Sequence, residues 1–179
     1  MTDLMVDIET LGTDYSAVIT QIGACQFDRL TGVVAETLLV NVSIQDCLNH
    51  GLTVNGGALK FWFEQPQQHY TFLANPVPLS KALQQLREIA APADAIWAHA
   101  TFDFPILAHA CRAIGQGMFT SYIKLHDIRT LVTLAKWVRG TEPYQRHEKD
   151  HNALNDCLYQ VKYCVVCFNM LKGNADAVH

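Results

Sequence analysis

The chain has 179 residues, half of them hydrophobic, with a mean hydropathy of +0.07. That is enough apolar surface to offset the entropy of ordering about one domain, and it excludes a disordered chain. The 13 basic and 17 acidic residues leave a net charge of −4. This excludes a protein that coats long nucleic acids, whose affinity comes from neutralising phosphates, but not a nucleic-acid enzyme whose positive charge is supplied by metal ions.

From the N-terminus, Leu4–Glu9, Val18–Phe27 and Val33–Val42 read as three strands. Turn-rich segments at 12–14 and 28–32 join them as an antiparallel meander. Helices follow: a short stretch from Ser43, one over Thr53–Gln65, a third starting at Pro66, and an amphipathic helix over Leu79–Ile89. In the last of these, Leu79, Leu83, Leu86 and Ile89 fall in phase. Ala95–His99 reads as a buried strand, and Phe104–Ile114 as a helix with Pro105 in its first turn and Gly115 at its end. Tyr122–Leu125 reads as a short strand and Ile128–Val138 as a helix. The segment 139–150 is polar, and a final helix runs over Asn152–Leu171. The expected fold class is α/β: a mixed sheet, with an antiparallel meander followed by parallel strands, flanked by helices. One domain is expected over residues 1–173, with a frayed tail at 174–179.

No stretch approaches the roughly 18–20 apolar residues that span a bilayer, and the first residues lack the pattern of a signal peptide. The expectation is a cytoplasmic protein without a membrane partner. The six cysteines (25, 47, 111, 157, 164, 167) sit among apolar neighbours and read as buried free thiols. Cys164 and Cys167 form a CxxC, on which a redox or zinc protein is one conceivable function class. A zinc site needs a second ligand pair, however, and a redox pair sits at a helix start; this CxxC falls inside a helix.

Three other signals carry chemistry. Asp7 and Glu9 are two apart in a strand, so they project from the same face, where a divalent cation would relieve their repulsion; alone, they equally suit a solvated strand end. Asp103 follows a buried strand at a helix start, which by itself is ordinary capping. His151 precedes the final helix and Asp156 lies in its early turns; by themselves they read as a loop histidine and a solvated acid.

Taken in order, Asp7-Ile8-Glu9, Phe102-Asp103 and His151-Asn152-Ala153-Leu154-Asn155-Asp156 resemble the DEDD exonucleases of the ribonuclease H-like (DnaQ-like) fold, in the histidine-bearing DEDDh subclass. Ile19–Ala24 and Asp127–Leu131 also resemble that family. The resemblance covers about residues 3–170 and is strongest to small bacterial and phage proteins of the exonuclease VIII-like or exoribonuclease-like kind. Relatives usually carry Asn a few residues before the second-motif Asp. Here that stretch is Ala98-His99-Ala100-Thr101, a departure that bears on substrate contacts rather than on the metal positions.

The resemblance implies a 3′→5′ exonuclease that acts on single-stranded DNA or RNA 3′ ends and releases 5′-mononucleotides with two ions, Mg²⁺ or Mn²⁺. Asp7, Glu9 and Asp156 would hold the first ion, with Asp7 bridging to a second held by Asp103. His151 would be the general base; His147, the rival in the same loop, lacks the motif spacing. Implied substrate contacts are Thr10, Leu11, His99, Phe102 and Arg129, with Arg139, Arg146 and Lys149 as further phosphate contacts and the Phe61-Trp62-Phe63 cluster as either core or stacking surface. Asp127 reads as a helix cap. Relatives are often homodimers, and nothing in the residues selects DNA over RNA. The alternative is a catalytically silent binding module of the same fold; its mark would be a missing acid, and all four acids and the histidine are present.

Overall fold

The sheet is organised around its first strand. In a computed structural model, which describes residues 2–140 and 151–172, β1 (Asp3–Thr10) is central in a five-stranded sheet. It pairs antiparallel with β2 (Ile19–Phe27), which pairs antiparallel with β3 (Val34–Asn41). On its other side β1 pairs parallel with β4 (Ala95–Ala98), and β4 pairs parallel with β5 (Leu125–Asp127). The spatial order is β3-β2-β1-β4-β5, the mixed sheet expected from sequence. Between β3 and β4 lie α1 (Ile44–Asn49), α2 (Gly56–Phe63), a 3-10 segment (Gln67–Leu73) and α3 (Leu79–Ala90). Helix α4 (Asp103–Ala113) follows β4, α5 (Ile128–Arg139) follows β5, and α6 (Ala153–Lys172) is the last described element. The polar segment 141–150, with Arg146, His147 and Lys149, and the tail expected to fray at 174–179 lie outside the described residues.

Both faces of β1 are covered, which is why the strand reads as a nearly continuous apolar run. Leu4, Val6 and Ile8 pack into a cluster with Leu83 and Leu86 of α3 and Phe104 and Leu107 of α4. Met5 packs into a second cluster with Ile128 and Leu131 of α5 and Cys157 and Val161 of α6. The two-residue period therefore turns Asp7 and Glu9 toward the α5/α6 side.

Helix α6 is fixed over that face at its first turn. Gly23 lies directly opposite Asp7 in the β1–β2 register, and a Cβ at this glycine would stand 2.2 Å from the Ala153 carbonyl carbon. Two positions along, Gln21 Oε1 accepts the Ala153 N–H at 2.8 Å. Asn152 caps the helix, its Oδ1 accepting the N–H groups of Leu154 and Asn155 at 3.1 Å each.

Most boundaries shift by one residue from the sequence reading, and three elements differ by more. The second helix starts at Gly56 rather than Thr53, because Thr53 bridges to Ala17 and Asn55 Oδ1 caps the helix. The segment from Pro66 forms 3-10 turns. Tyr122–Lys124 is one 3-10 turn, and strand β5 starts only at Leu125, where pairing with Ile96 begins. Tyr122 and Ile123, 82% and 70% exposed, have no sheet neighbour to pack on.

Gly23→Ala is expected to destabilise the fold by about 1–3 kcal/mol, since the helix backbone must move to admit a methyl group. Gly56→Ala, at a helical position with nothing within 4 Å of the new methyl, is the control and should be neutral or slightly stabilising. Urea unfolding of the two variants checks both.

Candidate active site

The end of β4 and the start of α4 form a short, pinned connection. Asp103, the first residue of α4, accepts the His99 N–H at Oδ2 (2.8 Å) and also a hydrogen bond from the Ile8 backbone. Ala100 N–H donates to Asp127 Oδ2 at 2.9 Å, while Asp127 Oδ1 accepts the Thr130 N–H at 2.6 Å and caps α5. Asp127 is therefore the expected cap and also a clamp between the two loops that flank the site.

Asp103 is 1% exposed, Asp7 7% and Asp156 8%. Burial, and then the charge of Asp7, pushes the Asp103 carboxyl well above the ordinary carboxylate range; the His99 and Ile8 N–H groups and Arg129 pull the other way. Asp7 Oδ1 accepts a 2.7 Å hydrogen bond from Gln160 Nε2, and Gln160 is itself 2% exposed. Gln160 stands one helical turn beyond Asp156 on the same face of α6.

Two groups of possible metal ligands result. Donor atoms of Asp7, Glu9 and Asp156 lie within 4.8 Å of one another, and so do those of Asp7, His99 and Asp103. Asp7 belongs to both. The carboxylate oxygens of Asp7, Glu9 and Asp156 suit a hard divalent cation, and like charges held this close are relieved by one. The residues present thus fit the metal dependence that the sequence implies.

These groups line a cleft of about 300 Å³, together with Phe102, Arg129 and His151. A neighbouring cleft of about 500 Å³ shares Glu9, Phe102 and His151 as walls and continues along Thr10, Asn55 and Phe61. His151 has a left-handed backbone (φ 51°), which His tolerates better than most residues. Its ring meets Phe61 and Trp62 edge-on, with centroids 5.0 and 5.7 Å away. Trp62 is buried, its Nε1 donating to the Thr10 carbonyl at 2.9 Å. The aromatic cluster therefore divides: Trp62 is core, Phe61 is a wall of the cleft, and Phe63 is 78% exposed.

Of the implied substrate contacts, Thr10, His99, Phe102 and Arg129 reach one or other cleft. Leu11 does not: it is 6% exposed and faces a separate apolar cavity of about 170 Å³. The alternation along β1 ends at Thr10, where the register shifts, and this turns Leu11 into the core. Sequence reasoning missed Gln160 and Asn55. A glutamine one turn after Asp156 was the available signal for the first; nothing in the local sequence marked the second. Cys164 and Cys167 are buried, and burial pushes both thiols up, Cys167 to about 11, which keeps them protonated and unreactive.

The five-strand sheet with its acidic cleft is the ribonuclease H-like fold of the DEDDh nucleases, and solved structures share it. Exonuclease I from Methylocaldum szegediense superposes with a TM-score of 0.69 at 14% identity, over 97% of this chain and 43% of that one. E. coli exonuclease I in complex with a 5cy-dT13 oligonucleotide gives 0.66 at 14% identity, over 98% and 41%. The nuclease domain of 3′hExo, a DEDDh family member bound to rAMP, gives 0.60 at 11% identity, over 96% and 92%. The chain thus spans less than half the length of the exonuclease I structures. No curated protein matches it significantly. A sequence model of the 3′-5′ exoribonuclease Rv2179c-like domain matches residues 2–168, and the chain belongs to that family.

Because the folded state raises the Asp103 pKa, the metal-free fold binds more protons than the unfolded chain just above the ordinary carboxylate value. Its stability therefore falls as pH rises through that window and on to the raised value. Asp103→Asn is expected to remove this fall and to raise the melting temperature of the metal-free protein at neutral pH by about 2–4 °C, or ~1 kcal/mol at this chain length. Thermal scans from pH 4 to 8 in EDTA measure it.

Proposed function

We propose that the protein is a metal-dependent 3′→5′ exonuclease acting on single-stranded nucleic acid and releasing 5′-mononucleotides. The observation that carries this reading is the double membership of Asp7 in two neighbouring ligand groups, beside a histidine at the junction of two clefts. Asp7, Glu9 and Asp156 are assigned to one ion and Asp7 with Asp103 to a second, Mg²⁺ or Mn²⁺. Bound divalent ions supply positive charge to the phosphoryl oxygens and lower the pKa of water. Gln160 holds Asp7 in one orientation through its 2.7 Å hydrogen bond. His151 takes the proton of the attacking water, its ring held against Phe61 and Trp62. The 500 Å³ cleft receives the terminal nucleotide between Phe102, Phe61 and Thr10, where stacking is worth roughly 1–3 kcal/mol per base whatever the base. Arg129 meets the phosphate.

RNA is the first substrate to test, because the family is described as an exoribonuclease; oligonucleotide-bound exonuclease I keeps DNA as the comparison. A reducing, cytoplasmic setting belongs to the same reading, supported by six cysteines buried as free thiols.

The test uses 5′-labelled single-stranded RNA and DNA of one sequence, with Mg²⁺ or Mn²⁺. A ladder shortening from the 3′ end, abolished by EDTA and by Asp7→Ala, is expected. His151→Gln should lower kcat by about 10²–10⁴ while leaving metal binding intact. Intact substrate with metal bound would favour the silent binding module instead.

A further inference from the structure

The second ligand group contains an imidazole. Donor atoms of Asp7, His99 and Asp103 lie within 4.8 Å of one another. Donors that share one ion stand roughly 3–4 Å apart at the bond lengths of these cations, so the three stand near the spacing one ion needs. The backbone under His99 is not free to drift. Its N–H is bound to Asp103 Oδ2, and the next N–H, of Ala100, is bound to Asp127 Oδ2. The ring therefore comes from the same pinned connection that supplies Asp103, and both line the 300 Å³ cleft. His151 belongs to neither ligand group; its ring packs among Phe61, Trp62 and His69.

We propose that His99 is a ligand of the second ion, and that its nitrogen makes this site take a first-row transition cation such as Mn²⁺ ahead of Mg²⁺. The assignment rests on the two-ion reading above and sharpens it. The group of Asp7, Glu9 and Asp156 offers oxygen only, which suits Mg²⁺ and Mn²⁺ alike. Replacing one oxygen by imidazole nitrogen costs Mg²⁺ most, because it is the hardest of these ions and demands oxygen in near-ideal octahedral geometry. The two sites of one centre thus differ in preference, with Asp7 shared between them.

Mn²⁺ alone, added to the full chain, is the probe. Pulsed electron paramagnetic resonance should show imidazole ¹⁴N coupling to bound Mn²⁺ in the unaltered protein and in His151→Gln, and none in His99→Asn. Calorimetric titration with Mg²⁺ as competitor should show the preference for Mn²⁺ falling by about tenfold or more in His99→Asn, the scale of disturbing a metal's ligand environment. His99→Gln serves if the asparagine variant does not fold, and the comparison of the unaltered protein with His151→Gln needs neither. Coupling that persists in His99→Asn, bound Mn²⁺ without coupling in the unaltered protein, or no Mn²⁺ binding at all would each overturn the assignment. Oligonucleotide shortening followed on the same samples separates the two ideas. Shortening without ¹⁴N coupling removes His99 and leaves the exonuclease; coupling without shortening keeps His99 and removes the exonuclease.

Discussion

The first turn of α6 lies against β2 at Gly23 with no room for a side chain, and the site depends on that approach. Any side chain at Gly23 would occupy the space of the Ala153 carbonyl. Gln21 then satisfies the Ala153 N–H, one of the donors that every helix leaves unpaired at its start. Together they place Asp156 and Gln160 over Asp7, which stands opposite Gly23 on the neighbouring strand. A helix displaced outward by one methyl group would widen the cleft on the Asp156 side only. Asp7 and Asp103 would stay where the sheet and α4 hold them.

The carboxylates stand in a conflict that the rest of the fold tolerates. Asp103 is almost wholly buried beside Asp7, and its N–H partners from His99 and Ile8 only partly offset the cost. Such an arrangement is poor for stability and suited to binding a cation, because the free energy lost on folding is recovered when positive charge arrives. The clamps around it are neutral amide contacts: Gln160 to Asp7, and Ala100 to Asp127. These two contacts fix Asp7 and Asp127 without adding charge.

Most of the fold was legible because hydrophobic period and turn residues agree along the chain. The meander and the parallel strands follow from local pattern, whereas the four acids and His151 were singled out by their resemblance to a family. What local pattern cannot report is which distant backbone comes near. Gln21 and Gly23 were visible as part of a family-like stretch, but their role appears only when α6 lies on them. Gln160 looked like one polar residue on a helix, and its meaning depends on a partner 153 positions away. Leu11 was expected at the cleft only because the resemblance implies a substrate contact just after the first motif; here the chain turns it into the apolar core beyond the register shift. Tyr122 and Ile123 have strand-like side chains, yet the sheet offers them no neighbour, so pairing decided against propensity.

The span between Asp7 and α6 also has a consequence for synthesis. Strand β1 and β4 can form their pairings early, but the third side of the cleft arrives only with α6. A polypeptide still emerging from the ribosome, and lacking that helix, holds Asp7, Glu9 and Asp103 without Asp156, Gln160 or His151. The complete set of acids and the histidine therefore exists only once the last described helix has been made.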